Sequence, residues 1–397
     1  MTPSITPNQT SSNGLLKWAL ILATAGFSFI CIVELINILF YDPYEDERFL
    51  FSFAESLMET EIETLTLLMF GTLALLLMAG LPMAFVVGGL GVVFIYLVGG
   101  QTMVNIIPTR IYPLMSNADL AAIPLFIFMA SMLEKAGLIE EMFDVVYKWM
   151  GGLNGGLAAA TILASTILAA MVGVIGAAVV TMGIIALPAM LKRNYDHKIA
   201  LGSIMAGGTL GILIPPSILA ILYAVIAQQS VGQLYLGSLV PGLMLSGMYI
   251  AYVLFRTLLN PKLGPALPRE ERVSFAQKLR LFRNLIAPIF LVFLVLGLLF
   301  GGIATPVEAA GIGSFGAIIV AIIHKRFSLQ ALRDASVTTA RASAMVLWII
   351  FGASIFVGFF ILEGGQDFIT ETILGTGLSP YGILLLMMFI LVFLGMF

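Results

Sequence analysis

Charge is scarce in this chain. Of 397 residues only 10% are Asp, Glu, Lys or Arg, against about 25% in ordinary soluble domains. With 60% hydrophobic residues and a mean hydropathy of +1.07, the composition excludes a soluble globular domain and implies an all-α polytopic membrane protein. Cysteine is nearly absent: Cys31 stands alone within an apolar run, which excludes a disulfide framework, a zinc finger and a redox pair and leaves a small buried hydrophobe. The two histidines, His197 and His324, each sit beside Lys or Arg near the end of an apolar run. They are too isolated for a metal site and read as interfacial. A net charge of −3 without an extended basic tract excludes nucleic-acid binding. The charge-free runs hold no His-Glu-x-x-His, no Gly-Asp pair and no Ser-Lys or Ser-His pairing, so the chain lacks the means of an intramembrane enzyme.

What the chain does have is a dense cluster of helix-breaking residues at membrane depth. No formal charge occurs from Ile199 to Phe255, and inside that run stands Gly207-Gly208-Thr209-Leu210-Gly211-Ile212-Leu213-Ile214-Pro215-Pro216-Ser217. Prolines carry no amide hydrogen, so Pro215 and Pro216 free the carbonyls of Gly211 and Ile212 four residues earlier. Unpaired carbonyls are costly in lipid and persist only where protein buries them or where they line a wet cavity. There, with the hydroxyls of Thr209 and Ser217, they suit a small hard cation, and broken helices of this kind hold the ion and substrate sites of secondary transporters. The competing reading is a kink or a helix-packing point built from small residues.

In chain order, residues 1–14 are polar and read as a disordered terminus. Residues 15–62 comprise an uncleaved anchor helix after Lys17, running to about Tyr41, and an acidic connection. That connection holds eight acids between Asp42 and Glu63 against Arg48 alone, unlike a cytoplasmic loop. Residues 63–255 form a first half. It opens with spans at 63–80 and 83–99 hinged at Gly80-Leu81-Pro82, an interfacial segment at 101–118, and a helix from Ala121 to Leu133. An amphipathic interfacial helix follows at 138–150. The charge-free run Trp149–Leu191 is long enough for two passes or for a re-entrant hairpin with its tip near Met171–Ala177. After the charged exit Lys192–Lys198 come the broken helix and a span from Gly232 to Phe255.

Residues 256–283 carry seven Lys or Arg against Glu270 and Glu271, which makes this connection cytoplasmic; topology accounts for its charge, and contact with anionic lipid is a second possibility. Residues 284–397 form a second half: a span at 285–302, a capping box at Thr305-Pro306-Val307-Glu308, a span at 343–362, a short amphipathic piece at 365–376 and an apolar run from 380. Leu133-Glu134 followed by a glycine turn and an acidic amphipathic helix is echoed by Leu362-Glu363, Gly364-Gly365 and the helix after them, at an offset of 229. Internal symmetry marks transporter folds. The same offset puts the counterpart of the broken helix at 436–446, so the second half is expected to be incomplete at the C-terminus, whether in a shortened or a naturally short chain.

Three motifs carry a family resemblance: Ala206 to Ser217, Ile185-Ala186-Leu187-Pro188-Ala189-Met190-Leu191 with Lys192 to Asp196, and Gly302-Ile303-Ala304-Thr305-Pro306-Val307-Glu308-Ala309-Ala310. Through them the chain, from about Glu63 onward, resembles the large, DctM-like membrane subunit of tripartite ATP-independent periplasmic (TRAP) transporters. Residues 1–60 look like an added helix, as in the branch of the family associated with mannitol or chloroaromatic acids. The resemblance implies two inverted-repeat halves with helical hairpins and broken helices, arranged as an elevator-type scaffold and transport domain. It implies a sodium-coupled importer of small organic anions, usually carboxylates, in the bacterial inner membrane. A small four-helix membrane subunit and a periplasmic substrate-binding protein would be its partners, beside the lipid bilayer. The family's Ser-Gly-Ser hairpin tip reads Val172-Gly173-Val174 here, so the serine hydroxyls are absent. Backbone carbonyls there, with Gly208, Thr209 and Gly211, are the expected sodium ligands, and Pro215, Pro216 and Ser217 the expected hairpin and substrate region. A non-transporting assembly or regulatory subunit, or a channel, are the alternatives.

Overall fold

The computed structural model describes residues 61–172, 175–268, 270 and 273–395. The expected disordered terminus and anchor helix lie outside them, as does Cys31. All regular structure among the described residues is helical, in fifteen α-helices and two short 3-10 helices, Ala118–Ala121 and Pro261–Leu263. They gather into two compact units, the described part of Met1–Leu114 with Leu347–Phe397, and Met115–Val346. Four helical stretches are long and apolar enough to cross a membrane, His197–Ala227 through its break, Val231–Leu259, Pro306–Ile323 and Leu329–Leu362, and up to six if each of two bent pairs counts as one span.

In the first unit α1 (Ile62–Met78) turns through Gly80, at φ +82°, into α2 (Met83–Met103), as the Gly80-Leu81-Pro82 hinge predicts. The short α3 (Ile106–Met115) follows. These pack with the last turns of the 34-residue α13 (Leu329–Leu362), around Met69, Ile95, Phe356 and Phe359. The crossing of α2 and α13 is close because glycine meets glycine: a Cβ on Gly352 would lie 2.8 Å from the amide nitrogen of Gly88. Phe70 fixes the α1 side by setting its ring edge-on against Phe356 and Phe360, at 5.5 and 5.4 Å. Helices α14 (Gly365–Gly375) and α15 (Pro380–Leu394) complete this unit.

The second unit begins with α4 (Ala122–Lys135) and the amphipathic α5 (Leu138–Met150). Helix α5 buries Leu138, Ile139, Met142, Phe143, Val145 and Val146 while Glu140 and Asp144 stay exposed, the pattern its spacing predicts. Gly137, at φ +68°, makes the turn between α4 and α5, and Gly364, at φ +88°, makes the one between α13 and α14. The echo seen in the sequence is thus a repeated helix, left-handed glycine, helix corner. Next come α6 (Gly156–Val172), α7 (Ile175–Leu191), α8 (His197–Leu213), α9 (Ile218–Ala227) and α10 (Val231–Leu259).

Helix α11 (Phe275–Phe300) contains the span expected from 285, as Leu285–Phe300, and extends ten residues before it, because Ser274 and Gln277 form a capping box inside the basic connection. Helix α12 (Pro306–Ile323) starts at the capping box read from Thr305 and Glu308, with the Thr305 amide donating to Glu308 Oε2 at 2.8 Å and the Glu308 amide to Thr305 Oγ1 at 3.3 Å. Helix α12 packs along α4, where the Ser314 hydroxyl donates to the Leu125 carbonyl at 2.6 Å. Helix α13 starts at Leu329, well before the expected 343, since the charged positions Arg333 and Arg341 continue the helix beyond its apolar part.

Candidate functional site: a helical hairpin against a broken helix

Helices α6 and α7 have 17 residues each, about 25 Å at 1.5 Å per residue, short of the ~30 Å of a bilayer core. They are separated only by residues 173 and 174, they pack on each other, and both pack on α8. Two short, paired helices of this length fit the hairpin of the two alternatives expected for Trp149–Leu191. Gly173 and Val174, expected at its tip, lie outside the described residues; Val172 is the last residue of α6.

The glycines of α8 fit the hairpin to it. A Cβ on Gly207 would stand 2.7 Å from both Cβ and Oγ of Ser165 on α6, and one on Gly208 would overlap Val179 on α7. Adjacent glycines thus face the two arms of the hairpin, and any larger residue would hold them apart. The Ser165 hydroxyl is fully buried there without a hydrogen-bond partner. The next residue, Thr166, meets Ser246 of α10, oxygen to oxygen at 2.6 Å, which fastens the hairpin to a third helix.

Helix α8 stops at Leu213, where Ile214 turns extended (φ −85°, ψ 124°) and the cis peptide Pro215-Pro216 follows. The prolines leave the carbonyls of Gly211 and Ile212 without the amides that would continue the helix. Ser217 then caps α9, its hydroxyl accepting the Ala220 amide at 3.5 Å. Its carbonyl accepts the phenol of Tyr235 at 3.1 Å, and both residues are wholly buried. Helix α10 comes in closely through Gly242, where a Cβ would sit 2.8 Å from Ile214 Cγ1.

Of the residues expected at the site, Gly208 and Gly211 lie on the buried side of α8 and Pro215, Pro216 and Ser217 in the buried break. Thr209 is placed differently. It is exposed and its hydroxyl donates to Ala206 of its own helix at 2.7 Å. Among the described residues no three His, Cys, Asp or Glu stand together as a metal cluster, so carbonyls and hydroxyls are the ligands this region offers a cation.

Sequence reasoning missed what holds the other end of the hairpin. The start of α6 is capped from two distant segments: Gly155 donates its amide to the Gly264 carbonyl at 2.7 Å, and Leu157 donates its amide to the Tyr195 hydroxyl at 3.2 Å. The Leu267 amide donates to Gly151 at 2.7 Å, the Asp196 amide to Leu263 at 3.0 Å, and the Thr257 hydroxyl to Asn154 at 3.0 Å. Gly264 is needed at the centre, since a Cβ there would lie 2.9 Å from Thr257 Cγ2 and 3.0 Å from Tyr195 Cε1. Residues 260–267, read from the sequence only as a cytoplasmic connection, therefore clasp the hairpin base, the start of α8 and the end of α10 together. Burial pushes the Tyr195 phenol up to about 12, against a smaller opposing effect of the Leu157 amide.

A family model for the tripartite ATP-independent periplasmic transporter, DctM component, matches residues 70–397. The chain belongs to this family. It is 30% identical over 346 residues to the C4-dicarboxylate TRAP transporter large permease protein DctM of Rhodobacter capsulatus, covering 83% of this chain and 77% of that protein. It is 30% identical over 330 residues to the isethionate TRAP transporter permease protein DctMQ of Oleidesulfovibrio alaskensis, covering 83% and 51%. It is 31% identical over 290 residues to the ectoine/5-hydroxyectoine TRAP transporter large permease protein UehC of Ruegeria pomeroyi, covering 72% and 65%. The chain thus spans from about half to three quarters of the length of these relatives. It is a membrane permease subunit of a TRAP transporter, a multi-pass protein of the bacterial inner membrane and not an enzyme. Membership implies a small membrane subunit and a periplasmic binding protein as partners.

Proposed function

We propose that this permease subunit imports small organic anions, carboxylates first among them, by coupling their entry to sodium. The hairpin α6–α7 and the break between α8 and α9 form the ion and substrate region. The observation that carries this reading is the break itself: two carbonyls, those of Gly211 and Ile212, lose their helical amides beside buried Ser217 in a segment free of formal charge. Oxygen ligands of this kind match a hard monovalent cation and leave the anion to the opposing positive end of α9. The carbonyls of Val172, Gly173 and Val174 supply the hairpin's share, and the orphaned Ser165 hydroxyl is a buried oxygen on the hairpin arm facing α8. Sodium that orders this region first would raise affinity for the anion by linkage. The binding protein selects the anion, and the small four-helix subunit completes the membrane complex. Relatives are named for C4-dicarboxylates, isethionate and ectoine, a range that fits selection outside the permease.

The test is uptake of a radiolabelled carboxylate panel into proteoliposomes that hold this chain with its small subunit and binding protein, with and without an inward sodium gradient. Sodium-dependent uptake that collapses in Gly211→Leu is the expected result. Uptake indifferent to sodium would overturn the coupling, and conductance without the binding protein would make the chain a channel.

A further inference from the structure

The first two turns of α11 do not continue the span that follows. Ala276–Arg283 is bent by 51° from Leu285–Phe300. Its apolar residues Leu279 and Phe282 lie on one face and remain 59% and 41% exposed. Basic residues flank that face: Lys278 on one side, Arg280 and Arg283 on the other. The two arginines are exposed, and among the described residues neither has an ion-pair or hydrogen-bond partner.

The segment is nevertheless held firmly at one point. Lys278 Nζ donates to the Trp149 carbonyl at 2.9 Å, and the Trp149 indole donates to the Lys278 carbonyl at 3.0 Å. The Trp149 ring rests on Phe282, centroid to centroid 5.7 Å, and is itself 38% exposed. An indole anchored beside exposed apolar residues, with arginines alongside, has the composition of a segment lying at the level of lipid headgroups. Topology alone asks for positive charge somewhere in this connection. It does not ask for two arginines, without partners among the described residues, beside an apolar face at a bend.

We propose that Ala276–Arg283 with Trp149 is a docking surface for anionic phospholipid, whose acyl chains cover Leu279 and Phe282 while Arg280 and Arg283 take the headgroup phosphate. Guanidinium groups present paired donors to phosphate oxygens. The occupant is an anionic lipid because the charges left over on this segment are all positive. A zwitterionic headgroup would bring its own ammonium to the arginines. Each basic residue near an anionic membrane surface is worth about 1 kcal/mol, or roughly fivefold in binding.

Trp149 is the reporter. The chain has three tryptophans, so the full-length protein carrying Trp18→Phe and Trp348→Phe retains Trp149 alone. It is reconstituted in vesicles containing brominated phosphatidylglycerol or brominated phosphatidylcholine, and the quenching of Trp149 is titrated against the mole fraction of each. The expected result is half-maximal quenching at a several-fold lower fraction of the anionic lipid, with that preference lost in Arg280→Gln/Arg283→Gln while the variant elutes as the parent does. Equal quenching by the two lipids in the parent, or an undiminished preference in the double variant, overturns the proposal. So does protection of Trp149 from both lipids on addition of the small membrane subunit, which would give this face to a protein.

Discussion

The hydroxyl of Tyr195 accepts the amide hydrogen of Leu157 at 3.2 Å, so a residue in the turn between α7 and α8 caps the first turn of α6. Both residues are at least 97% buried, so Tyr195→Phe removes the acceptor of a buried amide, a loss of about 1–3 kcal/mol. The phenol also gives the clasp a pH dependence. Burial holds its proton to about 12 in the folded protein, against about 10 in an unfolded chain. Between those values the folded state binds more protons than the unfolded one, so stability falls as pH rises from about 10 and levels off above about 12. Thermal unfolding of the purified protein across alkaline pH checks this. The tyrosine contribution to that fall should vanish in Tyr195→Phe.

Physical range along the chain decides what was legible in the sequence and what was not. The break at Pro215-Pro216, the Thr305–Glu308 capping box, the amphipathic face of α5 and the glycine corners at Gly137 and Gly364 are local: a missing amide, a cap three residues away or a spacing of polar residues announces each of them. The spans expected from 285 and 343 are the apolar parts of helices that begin earlier, at Phe275 and Leu329, because hydropathy marks the apolar part of a helix and not its length. The clasp was not legible at all. Its bonds join segments far apart in the chain, such as Gly155 with Gly264, through backbone groups and the Tyr195 and Thr257 hydroxyls, and no local pattern encodes them. Thr209 shows the same limit at the site: its hydroxyl belongs to the right chemistry, but helix phase turns it outward, away from buried Gly208 and Gly211.

Gly207 and Ser165 should behave as a coupled pair. Gly207→Ala puts a methyl group 2.7 Å from Ser165 Cβ and Oγ, overpacking of a kind that costs about 1–3 kcal/mol. Ser165→Ala removes only a buried hydroxyl that has no partner, so it should be close to neutral. Ser165→Gly combined with Gly207→Ala moves the methyl across the interface and should recover much of the stability lost in Gly207→Ala. A double-mutant cycle by thermal unfolding measures the coupling, and additive effects would place α6 and α8 farther apart than the structure does.

In the other unit, Gly352→Val should break the crossing of α2 and α13. A Cβ at that position would meet the backbone of Gly88, at 2.8 Å from N and 3.0 Å from Cα, and backbone cannot move aside as a flexible side chain can. Gly89, with nothing within 4 Å of its Cβ position, is the control. Yield of folded protein by fluorescence-detected size exclusion should fall sharply for Gly352→Val and stay near the parent level for Gly89→Ala.

Tyr235→Phe tests whether the break is a built site. The lost hydroxyl is the donor to the Ser217 carbonyl, and the vacated position is wholly buried in a charge-free span. At a wholly buried position the orphaned carbonyl costs about 1–3 kcal/mol. Part of that loss can be avoided only by shifting Ser217, which caps α9, and with it the prolines that free the Gly211 and Ile212 carbonyls. If those carbonyls bind sodium, the sodium concentration for half-maximal uptake should rise several-fold in Tyr235→Phe. Tyr252→Phe should change nothing, since Tyr252 lies on the same helix but is 59% exposed. A fall in stability with an unchanged sodium requirement would leave Tyr235 as a packing residue and separate the break from the ion.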